Sequence, residues 1–500
     1  MKKFKQIISA LLIFAMIFAT SCTKQPSNVV APEGTIGAEG EISNEDNLED
    51  MQVDLVVVGG GMAGLSSSIE AARLGAKVVL LEKLSFLGGS SALCEGYIWS
   101  SDSKLNQETG QGFDADTMVE YLNFRNSGEG NLDLIKNIIG ISGEVLDTYM
   151  EEGLRLNNDK FTFGDVYEGN YLMPFTAPDQ GAGMIQDLKK IAESKGVDIR
   201  VSSPVIGLIT ENNEVVGVEV EGKEGKYNIY AGTVVLATGG FVNNEELMQQ
   251  YNPLFAENSI VSSTAGAEGD AHKMVLELGG SFVGKNVSGT YSLNDAPAHN
   301  LPFGLLLYGS NFSVNKEGVR FCRENGVDED GDNYYMAVNK QTGSRAYAIF
   351  DSKHPKAEVL EDAAANGLAL KADTLEELAD MAGIDYEALA KEVELYNNDF
   401  NSGKDDSKWG IPNASMTPLV EGPFYVGEIR PWNSMMTLTG VKVNENCQVL
   451  GENDEPIKNL YGAGEFILGN IVYDRYPSCG TALASGLYGG VVAVRHALHK

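Results

Sequence analysis

Six consecutive residues, Gly59-Gly60-Gly61-Met62-Ala63-Gly64, carry the clearest chemistry in the chain. They keep the G-x-G-x-x-G spacing. In it the first glycine permits a tight turn, the second lets backbone approach a pyrophosphate, and the third lets a helix pack on a strand. A helix starting there offers free N–H groups and the positive end of its dipole to phosphates. Glu82 follows Gly64 by eighteen residues, where a carboxylate can accept from both hydroxyls of a ribose. The chemistry is dinucleotide binding. Glycines alone would also suit a merely tight turn, and the spacing does not separate a flavin from a nicotinamide nucleotide.

That motif works only if the surrounding elements hold it. Val53–Val58 is a continuous β-branched run, residues 62–74 have helical periodicity, and Lys77–Glu82 reads as a second strand, which together predict a βαβ opening. Residues 203–238 alternate in short β runs broken at Asn212-Asn213 and Gly222 and end in a buried strand, Thr233–Thr238. Leu460–Ala463 is another short strand, and residues 480–497 form a Gly/Ala-rich helix. Between them lies a segment with its own helices, one opening at the capping pattern Thr374-Leu375-Glu376-Glu377 and another near Asp385. The expected fold class is α/β, α+β overall. A Rossmann-like nucleotide-binding domain covers 52–285 and 416–500, and an inserted α+β capping domain covers 286–415.

Several further blocks bear on which nucleotide is bound. Asp54-Leu-Val-Val-Val-Gly-Gly-Gly-Met-Ala-Gly-Leu65, Gly88-Gly89-Ser90-Ser91, Val235-Leu-Ala-Thr-Gly-Gly-Phe241, Gly269-Asp270, Val314-Asn-Lys-Glu-Gly-Val-Arg-Phe321 and Tyr461-Gly-Ala-Gly-Glu465 run in that order. The sequence from about 52 to 497 thereby resembles the fumarate reductase flavoprotein superfamily, which includes urocanate reductases and 3-ketosteroid dehydrogenases. The resemblance implies FAD as cofactor, and it implies contacts from Gly59, Gly61, Met62, Ala63, Gly64, Glu82, Lys83, Gly88, Gly89, Ser90, Ser91, Ala237, Thr238, Gly239 and Asp270. It places Gly464 and Glu465 at the ribityl region. It also aims the helix start, Gly480, Thr481, Ala482 and Leu483, at the flavin N1/C2 carbonyl, where a dipole would stabilise an anionic reduced ring. Membrane-bound members attach FAD through an early histidine. The first histidine here is His272, so non-covalent FAD is expected.

The resemblance further implies hydride transfer from flavin N5 across a C–C bond beside an electron-withdrawing group, with the protein positioning, polarising and supplying protons. The chain departs from true fumarate reductases at three places. Phe303-Gly304-Leu305-Leu306-Leu307-Tyr308 stands where they bind a carboxylate. Asp328-Glu329-Asp330-Gly331-Asp332 stands where their catalytic arginine falls, and Met436-Thr437-Leu438-Thr439-Gly440 has lost their histidine. Tyr476-Pro-Ser-Cys-Gly480 is similar instead to the Tyr-x-x-x-Gly of 3-ketosteroid dehydrogenases, whose tyrosine hydroxyl and glycine N–H hold a substrate carbonyl. The bland alternative is a Tyr-Pro turn before a helix. Tyr334 and Tyr335 stand at the spacing of the dehydrogenases' acid/base tyrosine, or are core aromatics of the cap. Arg475 donates a proton, binds a substrate oxygen, or is structural. His299 is a cap-loop candidate or a surface histidine, and Cys479 is expected as a small buried filler beside the flavin. An ene-reductase acting on an enone or enoate is expected. Its alternatives are the same fold run as a ketosteroid-type dehydrogenase and a non-catalytic flavin- or solute-binding lipoprotein.

Compartment and partners follow from the N-terminus and the charge. Lys2, Lys3 and Lys5 precede an apolar core, Ile7 to Phe18, too short for a stable anchor. Ala19-Thr20-Ser21-Cys22 then resembles a bacterial lipoprotein box, with an ordinary secretory cleavage near Ala19 as the alternative. Residues 1–21 are expected as signal peptide and 22–51 as an acidic, disordered tether on a lipidated Cys22, outside the cytoplasm of a bacterium. Such a tether spans roughly 30 Å. Losing the three leader lysines takes the formal charge from −33 to −36, which argues against nucleic acid and anionic lipid as partners. Cys94, Cys322, Cys447 and Cys479 make no C-x-x-C, and five histidines without ligand spacing suggest no metal. The resemblance implies a small unsaturated organic substrate; with no haem site and no second nucleotide motif, electrons are expected to pass to or from a separate cytochrome, FMN protein or quinone-linked partner.

Overall fold

The computed structural model describes residues 49–499 except 159–164, 168–169, 173, 224, 257–259, 294–295, 298–302, 305, 307–311 and 325–333. The expected signal peptide, Cys22 and nearly all of the tether lie outside the described residues. The chain opens with β1 (Met51–Val58), α1 (Met62–Arg73) and β2 (Val78–Leu81). Leu55, Val56 and Val57 are fully buried, as the central strand of a parallel sheet covered on both faces requires. Each such side chain contributes about 1.5–3 kcal/mol of apolar burial. Helix α2 (Ala115–Arg125) follows on the outside, with Asp114 accepting from Thr117 N to cap it. Strands β3 (Asp198–Arg200), β4 (Val205–Glu211), β5 (Glu214–Gly222) and β6 (Gly225–Leu236) complete the first half, with the turns falling at Asn212-Asn213 and after Gly222 as the sequence predicts.

The cap begins at β7 (Val287–Leu293) and continues through β8 (Ala346–Asp351), α3 (Leu375–Ala382) and α4 (Tyr386–Asn401) to β9 (Phe424–Thr437). Thr374 caps α3 by accepting from Glu377 N, and Asp385 caps α4 by accepting from Ala388 N. Strand β9 is the middle of the cap sheet, antiparallel to both β7 and β8. The cap therefore runs to Thr437, beyond the expected boundary at 415. Pro431 disguises this strand in the sequence, because proline removes a ladder N–H. The ladder accommodates it at a register shift, where Tyr291 faces Pro431. Alternate residues of β8 feed two cap cores, Ala346, Ala348 and Phe350 on one face and Tyr347 and Ile349 on the other.

The chain then returns through β10 (Pro456–Gly462) to α5 (Thr481–Ala497). Among the described residues the larger sheet has eight strands, with β10, β6, β1, β2 and β3 side by side and parallel. Val58 pairs with Leu236 and with Leu81, and Leu236 with Gly462, so four carboxyl ends gather at one edge. Open α/β sheets bind ligands at that edge. Helices α1 and α5 cross closely there, with Ser66 Oγ donating to Gly486 O at 3.2 Å and Ser67 Oγ to Gly490 O at 3.4 Å. Both helices begin at that edge.

Candidate active site

The phosphate end is built by the turn from β1 into α1. A side chain at Gly64 would put its Cβ 1.8 Å from Gly59 O, so the helix can approach the strand only as glycine. Glu82, at the end of β2, accepts from Gly60 N with one oxygen and from Leu84 N with the other, each at 2.8 Å. Through these bonds it fixes the turn. Gly88 donates its N–H to Gly60 O at 2.9 Å, which folds the Gly88–Ser91 loop over the motif. Ser91 Oγ accepts from Met62 N at 3.2 Å, and Ser90 Oγ lies 3.2 Å from Ser263 Oγ. The Met62 N–H, expected to face phosphate, is thus engaged by Ser91. The N–H groups of Gly61, Ala63 and Gly64 have no acceptor among the described residues. Lys83 and Asp270 pair with each other at 2.6 Å, Lys83 also taking Glu268.

The other end of the crevice lies between β6, the Gly464-Glu465 turn and α5. Ala237 continues β6 with its N–H on Val58 O, Gly239 takes a φ of 74°, and Thr238 Oγ1 is buried with no partner among the described residues. Gly464 packs against Ala63, joining the two ends. Glu465 accepts from Thr437 N at 3.0 Å and from Thr437 Oγ1 at 3.4 Å. Burial raises its carboxyl to about 7, against the opposing pull of the Thr437 bonds. Thr437 is the last residue of β9, so the cap's central strand ends on this carboxylate. The sequence gives no signal for that contact.

Gly480, at a φ of 93°, starts α5. Trp99 Nε1 donates to Thr481 Oγ1 at 3.2 Å and Leu483 is buried, which fixes the first turn. The Ala482 N–H, expected to face the flavin, donates to the Tyr476 hydroxyl at 2.8 Å, because the preceding turn brings that oxygen over the helix end. The N–H groups of Gly480 and Leu483 have no acceptor among the described residues. Tyr476 is part-buried, and desolvation lifts its hydroxyl above the ordinary tyrosine range while the Ala482 N–H pulls the other way.

The remaining candidates separate. Arg475 is buried beside Tyr476, its Nε donating to Asp474 at 3.1 Å and a terminal nitrogen to Ser127 Oγ at 2.9 Å. These bonds anchor its guanidinium to the turn. Tyr334 is a core residue of the cap and not an acid or base at the crevice. It is 5% exposed, donates to Ser313 Oγ at 2.6 Å and stacks on Phe321. Its neighbour Arg320 is also structural, pairing inside the cap with Glu324 and Asp406. Cys479 is part-exposed in the FAD-free chain, and all four cysteines of the described chain are free thiols. The side chain of Tyr335, His299 and the 328–332 acidic stretch lie outside the described residues. Sequence reasoning missed Tyr121, whose hydroxyl donates to Pro477 O at 2.7 Å, and Thr437.

Two helix starts with free N–H groups, a buried orphan hydroxyl and a buried carboxyl line one crevice, and they fit a dinucleotide with a polar ring system at its far end. A parallel sheet, a capping domain and such a crevice define a dinucleotide-binding protein. The FAD binding domain family matches residues 54–483, and the chain belongs to it. It is similar to a probable fumarate reductase of Shewanella frigidimarina, 30% identical over 455 residues that cover 89% of this chain and 75% of the relative. A urocanate reductase of Eggerthella lenta is 30% identical over 448 residues, 85% of this chain and 72% of the relative. Among solved structures, the open conformation of a flavocytochrome c3 fumarate reductase superposes with a TM-score of 0.65 at 28% identity, covering 90% of this chain and 78% of that one. The protein is an FAD-dependent oxidoreductase of the fumarate reductase family, acting on CH–CH groups.

Proposed function

We propose that the protein reduces the C=C bond of an uncharged or weakly polar enone or enoate, steroid-like or aromatic in character. Tyr476 and Gly480 hold its carbonyl oxygen. One observation carries this reading, the Ala482 N–H donated to the Tyr476 hydroxyl. That bond occupies an acceptor site on the oxygen and leaves its proton to be given away. Burial keeps the proton in place at neutral pH, so the group works as a donor and not as a base. The Gly480 N–H four residues on supplies a second donor, and two donors on one oxygen stabilise a developing enolate. Bound FAD supplies the hydride to the carbon at the far end of the double bond. Phe303 and Leu306, which stand where fumarate reductases bind a carboxylate, are buried in the cap core and favour a substrate without a second charge.

The relatives' names, a fumarate and a urocanate reductase, support reduction as the direction. The Tyr-x-x-x-Gly spacing favours a second reading, oxidation as in ketosteroid dehydrogenases, and the flavin midpoint potential set against the substrate couple decides between them. FAD is held without a covalent bond and leaves on acid precipitation. Electrons arrive from a separate cytochrome, FMN protein or quinone-linked donor, and the Cys22 lipid keeps the enzyme outside the cytoplasm at the membrane where such donors sit. The main test is anaerobic photoreduction followed by cyclohex-2-enone, cinnamate, a 3-keto-4-ene steroid or fumarate. Flavin absorbance is expected to return with an enone or enoate and not with fumarate. Tyr476→Phe should slow that return by about 10²–10³-fold at full flavin content. Unchanged reoxidation in the variant removes the carbonyl-binding role, and return with fumarate alone removes the substrate class.

A further inference from the structure

The chain crosses between the nucleotide-binding domain and the cap twice, and the two crossings lie side by side. Phe282 and Val283 pair with Val441 and Gly440, Leu438 N donates to Asn286 O at 3.0 Å, and Val287 pairs with Thr437. A third stretch, Tyr473–Asp474, is bonded to this ribbon. Lys285 N donates to Tyr473 O at 2.9 Å, and Asn286 Nδ2 donates to Asp474 O at 3.0 Å. Lys285 Nζ lies 3.7 Å from Asp474 Oδ2. The approach is close: a Cβ on Gly284 would fall 2.5 Å from Tyr473 O and 2.6 Å from Leu438 O. Asn286 itself is 8% exposed and sits at a φ of 76°, a conformation that asparagine tolerates better than most residues.

Two residues beyond Asp474 comes Tyr476. The intervening turn is under strain, since Tyr473, a non-glycine residue, has φ 57° and ψ −81°. Such a conformation persists only when the surroundings over-determine it. On one side the turn is gripped from around α2, by Tyr121 on Pro477 O and by Ser127 on Arg475. On the other side the grip is Lys285 and Asn286, which belong to the crossing into the cap.

The geometry points to Asn286 as a positioning residue for the reaction: its side-chain amide ties the cap crossing to the turn that carries Tyr476 and so sets the direction of that hydroxyl. It rests on the carbonyl-holding role given above to Tyr476. It goes further in assigning a residue 190 positions away in the chain, with no contact to substrate, to the same function.

The test is a double-mutant cycle on the FAD-loaded protein, read as reoxidation of the photoreduced enzyme by saturating cyclohex-2-enone or whichever compound of the panel above reoxidises it fastest. Asn286→Gly keeps the left-handed backbone and removes the amide. Asn286→Asp keeps the size and the backbone tolerance and removes the donor, so either variant that retains its flavin serves. Each should slow reoxidation about tenfold in the wild-type background, with flavin content unchanged. In the Tyr476→Phe background the same substitution should have almost no further effect, since its target hydroxyl is gone. Equal slowing in both backgrounds would show a general structural loss and overturn the assignment, as would no slowing in either or flavin lost from both variants. If Tyr476→Phe alone leaves the rate unchanged, the carbonyl-holding reading fails first and Asn286 falls with it. If Tyr476→Phe is slow but the Asn286 variants are additive, only the present inference fails.

Discussion

Removing the charge at Glu465 tests how this crevice is built. The residue is part-buried, its carboxyl is shut away from water, and it accepts bonds from Thr437 and from the Gly240 backbone. Desolvation raises it from an ordinary 4.5 to about 7. In the FAD-free protein the folded state therefore keeps a proton that the unfolded chain has already released. The stabilising contribution is fully present below pH 4.5, where both states are protonated, and it is lost as pH rises through about 7. A full shift of that size corresponds to about 3 kcal/mol, and between pH 5.5 and 8 about 2 kcal/mol of it is traversed. Urea unfolding of the wild-type apoprotein and of Glu465→Gln at those two pH values isolates the group, because every other titration cancels in the difference. The variant, which cannot ionise, is expected to gain about 2 kcal/mol on wild type as pH rises. A constant difference, or a gain for wild type, would mean that the carboxylate is already charged when folded, and the argument from burial would be wrong.

Gly64→Ala drives a methyl to 1.8 Å from Gly59 O, against backbone that cannot yield. The ratio of flavin to protein absorbance is expected to drop below a tenth of wild type, and a fully coloured variant would refute the packing argument. In the cap, Asp406→Ala strips two bonds of 3.0 Å from Arg320, whose side chain is 1% exposed. Arg320 keeps Glu324 as its partner, so the loss of these two charge-assisted bonds is expected to cost about 1.5–3 kcal/mol in denaturant unfolding, and a loss under about 0.5 kcal/mol would show the second carboxylate to be dispensable. The exposed Lys104–Glu151 pair serves as the control, since solvent screens it and its removal should go almost unnoticed.

What could be read in the sequence is what lies close together along the chain. The β1–α1–β2 unit announces itself within about thirty residues, since a β-branched run, three spaced glycines and an acid all answer to one backbone geometry. The caps of α3 and α4 are nearer still, with Thr374 and Asp385 each bonding three residues ahead. Strand β9 escaped because a single proline looks like a boundary until a partner strand supplies the register shift that absorbs it. The Arg320-Phe321…Glu324 stretch was visible, yet its purpose depends on Asp406, 86 residues on, and no periodicity links the two.

Tyr476 marks where that limit falls. Its motif was legible as a tyrosine four residues before a glycine, and the glycine's left-handed φ of 93° explains why the spacing matters. That turn brings the hydroxyl back over the helix it precedes, six residues on at Ala482. The direction of the hydroxyl is another matter. Tyr121 holds Pro477 from 356 positions away, and Asn286 holds Asp474 from 188 positions away. Chemistry of this kind, in which identity is local and aim is not, leaves the aiming residues unmarked. A buried tyrosine on α2 reads as core, and an asparagine at a strand entry reads as a turn. Only the fold makes either of them part of the site, Tyr121 through its bond to Pro477 and Asn286 through the crossing of three chain segments at Gly284.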